Sequence, residues 1–538
     1  MFAETDAFHK KRILLILFLM GLVVNLTVVF LIKTPGYMDA EYYTSGAKQL
    51  FHGKGFYEPF LWNYLDQPSG LPHPSHTYWM PLPSILATGG MFLAGRDDFF
   101  SARLLFLPLA AAVAVITALI AWRLGLGLRQ GAFAGGLAIV SGFYLPYLTL
   151  PESFSLYMLL GGGFFLVAFP KNKRLSEHPG LCFLLGLLAG LMHLSRADGM
   201  LWLFGGLGLV LLDVFQKPRN KNWLIVLACL GGLMMGYSLV MFPWYARNLQ
   251  EYGQLMAPGG SRTLFLTDYN QTFVFPADQL NFQAWWQQGW QLHIADRFKA
   301  LQSNLMTLLG VQGLVLLFPL ILMGGWALRK QRMVWVGFVA WGATLLVMTI
   351  AFPYSGARGG FFHSGSAIQP LFWALVPAGM DGLIDRGVEK RGWNASQARL
   401  VFSAGTILIC ALISGFLFST RIWGNTGADW NLTWQAHQQV GDTLVEYGAD
   451  LEDVIMVNNP PGFHVATGFP AVVIPDGDVE TLIKVAKTYQ VKYLALDRNT
   501  VSGLVDLYRN PKNFPGLHYL GSKSEVRYFI FQLTEINQ

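Results

Sequence analysis

The sequence predicts a polytopic α-helical membrane protein with a C-terminal extracytoplasmic α/β domain, and three observations carry that prediction. Mean hydropathy is +0.39, with 53% hydrophobic and 13% charged residues, too apolar for a soluble chain of 538 residues. Apolar blocks of spanning length, roughly 20 residues each, recur from Ile13 to Phe418. After 425 the pattern changes to short β-rich runs alternating with helical patterns.

The first block, Ile13 to Ile32, follows Lys10-Lys11-Arg12 and lacks a small-residue cleavage site, so it reads as a retained helix. The run Gly131 to Phe169 would be a helix about 58 Å long, nearly two bilayer thicknesses. Pro146, Pro151 and Glu152 interrupt it, and the chain is expected to turn at 150–153. Ser195-Arg196-Ala197-Asp198 splits 180–215 in the same way. Segment 78–95 decides the topology. If it spans, Arg123, Arg129, Lys171, Lys173, Arg174, Lys217, Arg219 and Lys221 all fall outside; if it lies in the outer interface, they join Lys10 to Arg12 inside. So do Arg329, Lys330, Arg332, Arg386, Lys390 and Arg391. The positive-inside rule selects the second arrangement.

About eleven crossings follow: 13–32, 101–122, 131–149, 154–169, 180–194, 200–215, 223–243, 304–328, 334–352, 366–381 and 400–419. The N-terminus is then cytoplasmic and the tail outside. Two outer loops are long, 33–100 and 244–303, and Trp285, Trp286 and Trp290 in the second suit a surface-lying helix. The domain division is 1–424 and 425–538. In the tail, strands are expected near 454–457, 471–474, 493–496 and 528–531 in a largely parallel sheet, with helices near 434–447, 479–489 and 501–509. No Gly-x-Gly-x-x-Gly follows any of these strands, so no dinucleotide site is indicated. The net charge of +6 reflects basic inner loops rather than a nucleic-acid partner. All three cysteines lie in apolar blocks, which excludes a disulfide framework.

The isolated charges of the outer loops are the candidate site. Asp39 and Glu41 follow the first crossing beside Tyr37, Tyr42 and Tyr43. On a helix they sit about 200° apart and diverge; on a strand they share a face. Glu152 stands at the tip of a very short outer loop, where an acid at the membrane rim points to function. His73 and His76 offer two imidazoles at i, i+3, although no paired carboxylate marks a zinc site. Arg196 and Asp198 either pair with each other or face the site, and Arg247 either joins it or reaches to headgroups. Arg358-Gly359-Gly360-Phe361-Phe362-His363 combines close backbone approach with cationic donors suited to a phosphate. Carboxylates that activate a hydroxyl, opposite cations that stabilise a phosphate leaving group, indicate group transfer from a phosphorylated lipid.

The pattern resembles the GT-C membrane glycosyltransferases, particularly the branch of protein O-mannosyltransferases and lipid A aminoarabinose transferases. The resemblance rests on Asp39-Ala40-Glu41-Tyr42-Tyr43, Gly53-Lys54-Gly55-Phe56, His73-Pro74-Ser75-His76-Thr77-Tyr78-Trp79, Ser195-Arg196-Ala197-Asp198-Gly199 and Trp244-Tyr245-Ala246-Arg247-Asn248. It implies an inverting enzyme that takes one sugar from a polyprenyl-phosphate carrier on the non-cytoplasmic face; separately, the cysteine-free tail fits a bacterial plasma membrane. It also implies a protein, lipid or glycan acceptor. The family's base carries over to Asp39, its second acid to Glu152, and the donor phosphate to the neighbourhood of Arg358, His363 and Arg196. Metal use varies across the family, and three nearby carboxylates suit a divalent cation such as Mg or Mn. Oligosaccharyltransferases share the fold but carry Trp-Trp-Asp in the soluble tail, whereas Trp285-Trp286 here precedes Gln287 in a loop. The alternative to a transferase is a membrane transporter or lipid flippase. Such proteins place ionisable groups near the bilayer midplane and repeat their halves, and this chain does neither.

Overall fold

The computed structural model describes residues 2–216, 223–424, 429–512, 514–523 and 528–533. Among the described residues, seven helices are long and apolar enough to cross a membrane: Asp6–Leu31, Phe99–Arg123, Ala197–Phe215, Trp223–Tyr252, Arg332–Ala351, Pro353–Arg391 and Ala395–Ile422. Three further expected crossings are the shorter apolar helices Ser153–Ala168, Pro179–Ser195 and Phe318–Ala327. The eleventh, 131–149, is the helix Leu128–Val140 followed by the turn Gly142–Tyr144. Segment 78–95 contains the helix Leu82–Ala94, which at 1.5 Å per residue is about 20 Å long and too short to cross.

Two expected elements differ in detail. The crossing placed at 304–328 is not one helix. Trp290–Met306 passes into a π turn, Thr307–Gln312, and the chain breaks at Leu314 and Val315, whose φ values are 43° and 55°, before Phe318–Ala327 begins. The helix expected to stop at 243 continues to Tyr252, so less of the second outer loop is irregular.

Ion pairs join the helix ends far from the outer loops. Arg129 Nη2 donates to Asp381 Oδ2 at 2.6 Å, Arg399 to Asp385 at 2.7 Å, and Arg332 to Asp213. Arg123 donates to the Leu166 carbonyl at 2.7 Å. Each of these cations comes from a segment expected on the basic side, and their pairing places those segments at one end of the bundle. Lys217, Arg219 and Lys221 lie outside the described residues, as does the domain division at 424/425 on its C-terminal side.

The tail begins with the helix Trp430–Glu446, started by Asp429, whose side chain accepts from the Asn431 and Leu432 amides. Among the described residues its sheet has six strands, in the order Phe60–Leu61, Ala471–Val473, Val454–Val457, Val491–Leu496, Tyr528–Leu533, Leu517–Lys523. The first four are parallel. The last two pair antiparallel, because Leu517–Lys523 and Tyr528–Leu533 form a hairpin, so the sheet is mixed where a largely parallel one was expected. The edge strand Phe60–Leu61 comes from the long segment after the first helix, with Phe60 opposite Ala471. Tyr42, Tyr43 and Trp62 of that loop share a buried cluster with Val440, Phe463 and Ile530 of the tail. Loop and tail therefore bury one core between them.

Candidate active site

The residues after the first crossing form a helix, Met38–Phe51. Helical geometry sends Asp39 and Glu41 in different directions, and each meets a different part of the chain. Asp39 faces His363, whose Nε2 is 3.8 Å from its Oδ2. The other ring nitrogen of His363, Nδ1, lies 3.5 Å from Glu152 Oε1. The imidazole thus bridges two acids contributed by segments more than a hundred residues apart, and it stacks on Phe154 with ring centroids 4.2 Å apart.

Glu152 is held on every side. It caps the helix Ser153–Ala168, its Oε1 accepting from the Ser153 amide at 2.6 Å and from Ser153 Oγ at 2.8 Å. Its Oε2 accepts from Tyr37 Oη at 3.2 Å. Burial works to raise its pKa, but His363 and the Ser153 donors together hold it below the usual carboxylate value. Asp39 has the opposite environment. Burial and then the charge of Glu152 hold its pKa well above the ordinary range, against a smaller pull from Arg196. Its side chain stays 24% exposed, against 1% for Glu152. One acid is fixed and ionised; the other is proton-seeking and open.

Around this pair, Arg196 donates from Nε to Asp198 Oδ1 at 2.9 Å, and Tyr157 donates to Asp198 Oδ2 at 3.2 Å. The Arg196–Asp198 pairing open in the sequence is thus formed, while the guanidinium still acts on Asp39. Arg358 sits over the Tyr269 ring, 3.6 Å from its centroid, and Tyr269 is close enough to feel the charges of both Arg358 and Asp39. Gly359, at φ +123°, kinks the chain between Arg358 and His363. Only glycine adopts that conformation without strain, and it lets Arg358 and His363 leave one short segment in different directions.

Three candidates are not brought to this cluster. His73 pairs with buried Asp66 at 2.6 Å. His76 lies between Ser75 and Ser84 at 2.7 and 3.0 Å, and burial, helped by Arg247, lowers its pKa to about 3. Arg247 donates to the carbonyls of Phe56 and Ser75 at 3.2 and 3.0 Å and packs on Trp244. His73 and His76 tie parts of the segment 33–100 to one another, and Arg247 braces that segment against the helix Trp223–Tyr252. Glu41 also points away. It is 2% exposed, accepts from Asn459 Nδ2 at 2.8 Å, and burial raises its pKa to about 7.

Tyr37, Ser153 and Tyr157 hold the acids in place and were not singled out in the sequence. Tyr37 had the one available signal, a phenol two residues before Asp39. Ser153 and Tyr157 had only their nearness to Glu152.

One donor atom from each of Asp39, Glu152 and His363 lies within 4.8 Å of the other two. Two carboxylate oxygens and an imidazole nitrogen suit a divalent cation.

No family model matches the sequence, and no curated protein is similar to it. Solved structures are similar in fold. ArnT from Cupriavidus metallidurans bound to undecaprenyl phosphate superposes with a TM-score of 0.55 at 12% identity, covering 96% of this chain and 98% of that one. The oligosaccharyltransferase AglB from Archaeoglobus fulgidus, in complex with an inhibitory peptide and a dolichol-phosphate, gives 0.54 at 13% identity, covering 98% of this chain and 75% of that one. The A. fulgidus oligosaccharyltransferase with zinc and sulfate gives 0.50 at 12%, covering 96% and 72%. The chain shares the fold of these structures over nearly its whole length.

Proposed function

We propose that this protein is an inverting glycosyltransferase that moves a sugar from a polyprenyl-phosphate carrier to an acceptor at the outer membrane face. The observation that carries the reading is the split between two neighbouring acids, Glu152 fixed by four donors and Asp39 open with a raised pKa. A base near neutral pH needs the second environment, and a fixed countercharge needs the first. ArnT and AglB, which share the fold, hold a polyprenyl phosphate and a dolichol-phosphate, and a donor of that class fits the cations here.

In this mechanism Asp39 takes the proton of the acceptor hydroxyl. The oxygen attacks the anomeric carbon as the bond from that carbon to the phosphate oxygen breaks, its electron pair leaving with the phosphate. Arg358 stabilises that departing charge, with Arg196 near the sugar side. His363, hydrogen-bonded to Glu152, orients Asp39. Asp39, Glu152 and His363 would hold a divalent cation, which when bound supplies Lewis-acid stabilisation to the phosphate; the second oxygen of Asp39 remains to take the proton. Glu41, turned to the tail, positions the helix that carries Asp39 and takes no part in the chemistry. AglB holds a peptide, so a protein acceptor is one of the classes to offer, beside lipid and glycan.

The test is transfer of radiolabelled sugar from a panel of polyprenyl-phosphate donors by the purified protein, with the product anomer assigned by NMR. Inverted product, or slow inverting hydrolysis without acceptor, supports the reading. A folded protein that turns over no donor but moves lipid between leaflets of a proteoliposome would replace it with the flippase alternative.

A further inference from the structure

A second charged surface lies at the other end of the bundle, and the chemistry above does not use it. The helix Gln369–Arg391 starts a few residues after His363 and runs 23 residues to the turn at Gly392. At 1.5 Å per residue its basic end is about 30 Å from the active site, the thickness of a hydrocarbon core. There it forms a hairpin with the helix Ala395–Ile422, and the two enclose a groove of about 360 Å³. The groove floor is apolar, with Leu383, Ile384 and Phe402. Trp393 forms one wall, lying so close to Gly387 that a Cβ there would meet its ring at 2.3 Å. Arg386, Lys390 and Arg391 also line the groove.

The pairing pattern makes these three cations unusual. Both aspartates of the same helix are already engaged, Asp381 with Arg129 and Arg399, and Asp385 with Arg399. Among the described residues none of Arg386, Lys390 and Arg391 has an acidic partner, and Glu389 is the one acid between them, so the rim carries a net charge of about +2. The groove opens toward lipid. Leu400 and Phe402 on the flanking helix are 70% and 40% exposed, on a helix apolar enough to span.

We infer that this groove binds an anionic phospholipid, its phosphate between Arg386, Lys390 and Arg391 and its acyl chains along Leu383 and Phe402. Three cations without counterions at headgroup level, above an apolar channel between two spanning helices, match a molecule with a negative head and a hydrocarbon tail. A free phosphate would leave the apolar floor unused, and a neutral lipid would leave the cations unpaired.

Native mass spectrometry of the delipidated full-length protein tests this, with dioleoylphosphatidylglycerol, dioleoylphosphatidylcholine and inorganic phosphate as probes. Phosphatidylglycerol is expected to bind at least about tenfold more tightly than phosphatidylcholine, at about fivefold per cation. Replacing the rim with R386Q/K390Q/R391Q should weaken phosphatidylglycerol by about tenfold to a hundredfold, and Lys390→Gln alone by about fivefold. The control R329Q/K330Q removes charge in a neighbouring inner loop without touching the groove, and should change binding by less than about twofold. Equal binding of the two lipids overturns the inference. So does equal weakening in the rim and control variants, which would indicate surface charge alone, and so does displacement of the lipid by inorganic phosphate at equal concentration.

Discussion

The two ends of the helical bundle use the same residue types in opposite ways. At the basic end the acids are matched to cations, Asp213 to Arg332, Asp381 to Arg129 and Arg399, Asp385 to Arg399. Those pairs fix helix ends. At the end that carries the candidate site, Asp39 and Glu152 flank the His363 imidazole and Asp198 pairs with the Arg196 guanidinium. Burial, and then the charge of Glu152, raises the proton affinity of Asp39 beyond what Arg196 offsets. Matched charges make a scaffold, and mismatched ones make a reactive group.

Breaking the outer end should abolish activity. Asp39→Asn removes the base while keeping size and most packing, and transfer is expected to fall by about 10²–10⁴-fold with donor affinity nearly unchanged. Single-turnover transfer beside equilibrium donor binding reads both quantities. Glu152→Gln is expected to cost about tenfold to a hundredfold by freeing His363. Its residual activity should also show the acid limb of the pH–rate profile moved to lower pH. Glu152's charge raises the Asp39 pKa, so neutralising it lets Asp39 lose its proton more easily. An unmoved or upward-moved limb would contradict the assignment.

Breaking the matched end should have a different signature. Asp213→Asn leaves the Arg332 guanidinium short of a charged acceptor in a half-buried site. Thermal denaturation in detergent should show a loss of about 1.5–3 kcal/mol, with kcat per folded molecule unchanged within about twofold. A large kcat loss at full stability would erase the distinction between the ends.

The smallest effect falls on Glu41. Its folded pKa is raised to about 7, so the folded state holds a proton that the unfolded chain gives up near 4.5. Stability contributed by this site therefore falls as pH rises through that window, and the penalty is complete above about 7. Glu41→Gln keeps an acceptor for Asn459 and should remove the slope. Stability is then expected to rise at pH 8, to stay level at pH 4, and activity to change by less than about threefold. Denaturation midpoints at the two pH values check the sign. A loss of activity near that of Asp39→Asn would return Glu41 to the chemistry.

Much of the outer end was legible because isolated charges in an apolar sequence have few explanations. Asp39, Glu152, Arg196, Arg358 and His363 each stood out this way, and the structure gathers them on one side of the bundle. The divergence of Asp39 and Glu41 was readable only conditionally, since it depends on whether residues 38–51 are helix or strand. Asn459 is over four hundred residues from the Glu41 it holds, and no local pattern links them. The strand Phe60–Leu61 is likewise two residues long, too short for an alternation signal, and exists only because the tail sheet offers it an edge. The break at Leu314 and Val315 escaped notice for the opposite reason, because Gln312 is the one polar residue close to it and the hydropathy stays high across it.

The central claim is that Asp39 is the base of a transferase using a lipid-linked sugar, and one paired measurement reaches it most directly. Wild type and Asp39→Asn are each loaded with radiolabelled polyprenyl-phosphate sugar, binding is measured, and transfer to a membrane extract is followed through one turnover. The account predicts equal loading and transfer by wild type alone. Equal transfer by both proteins would contradict it.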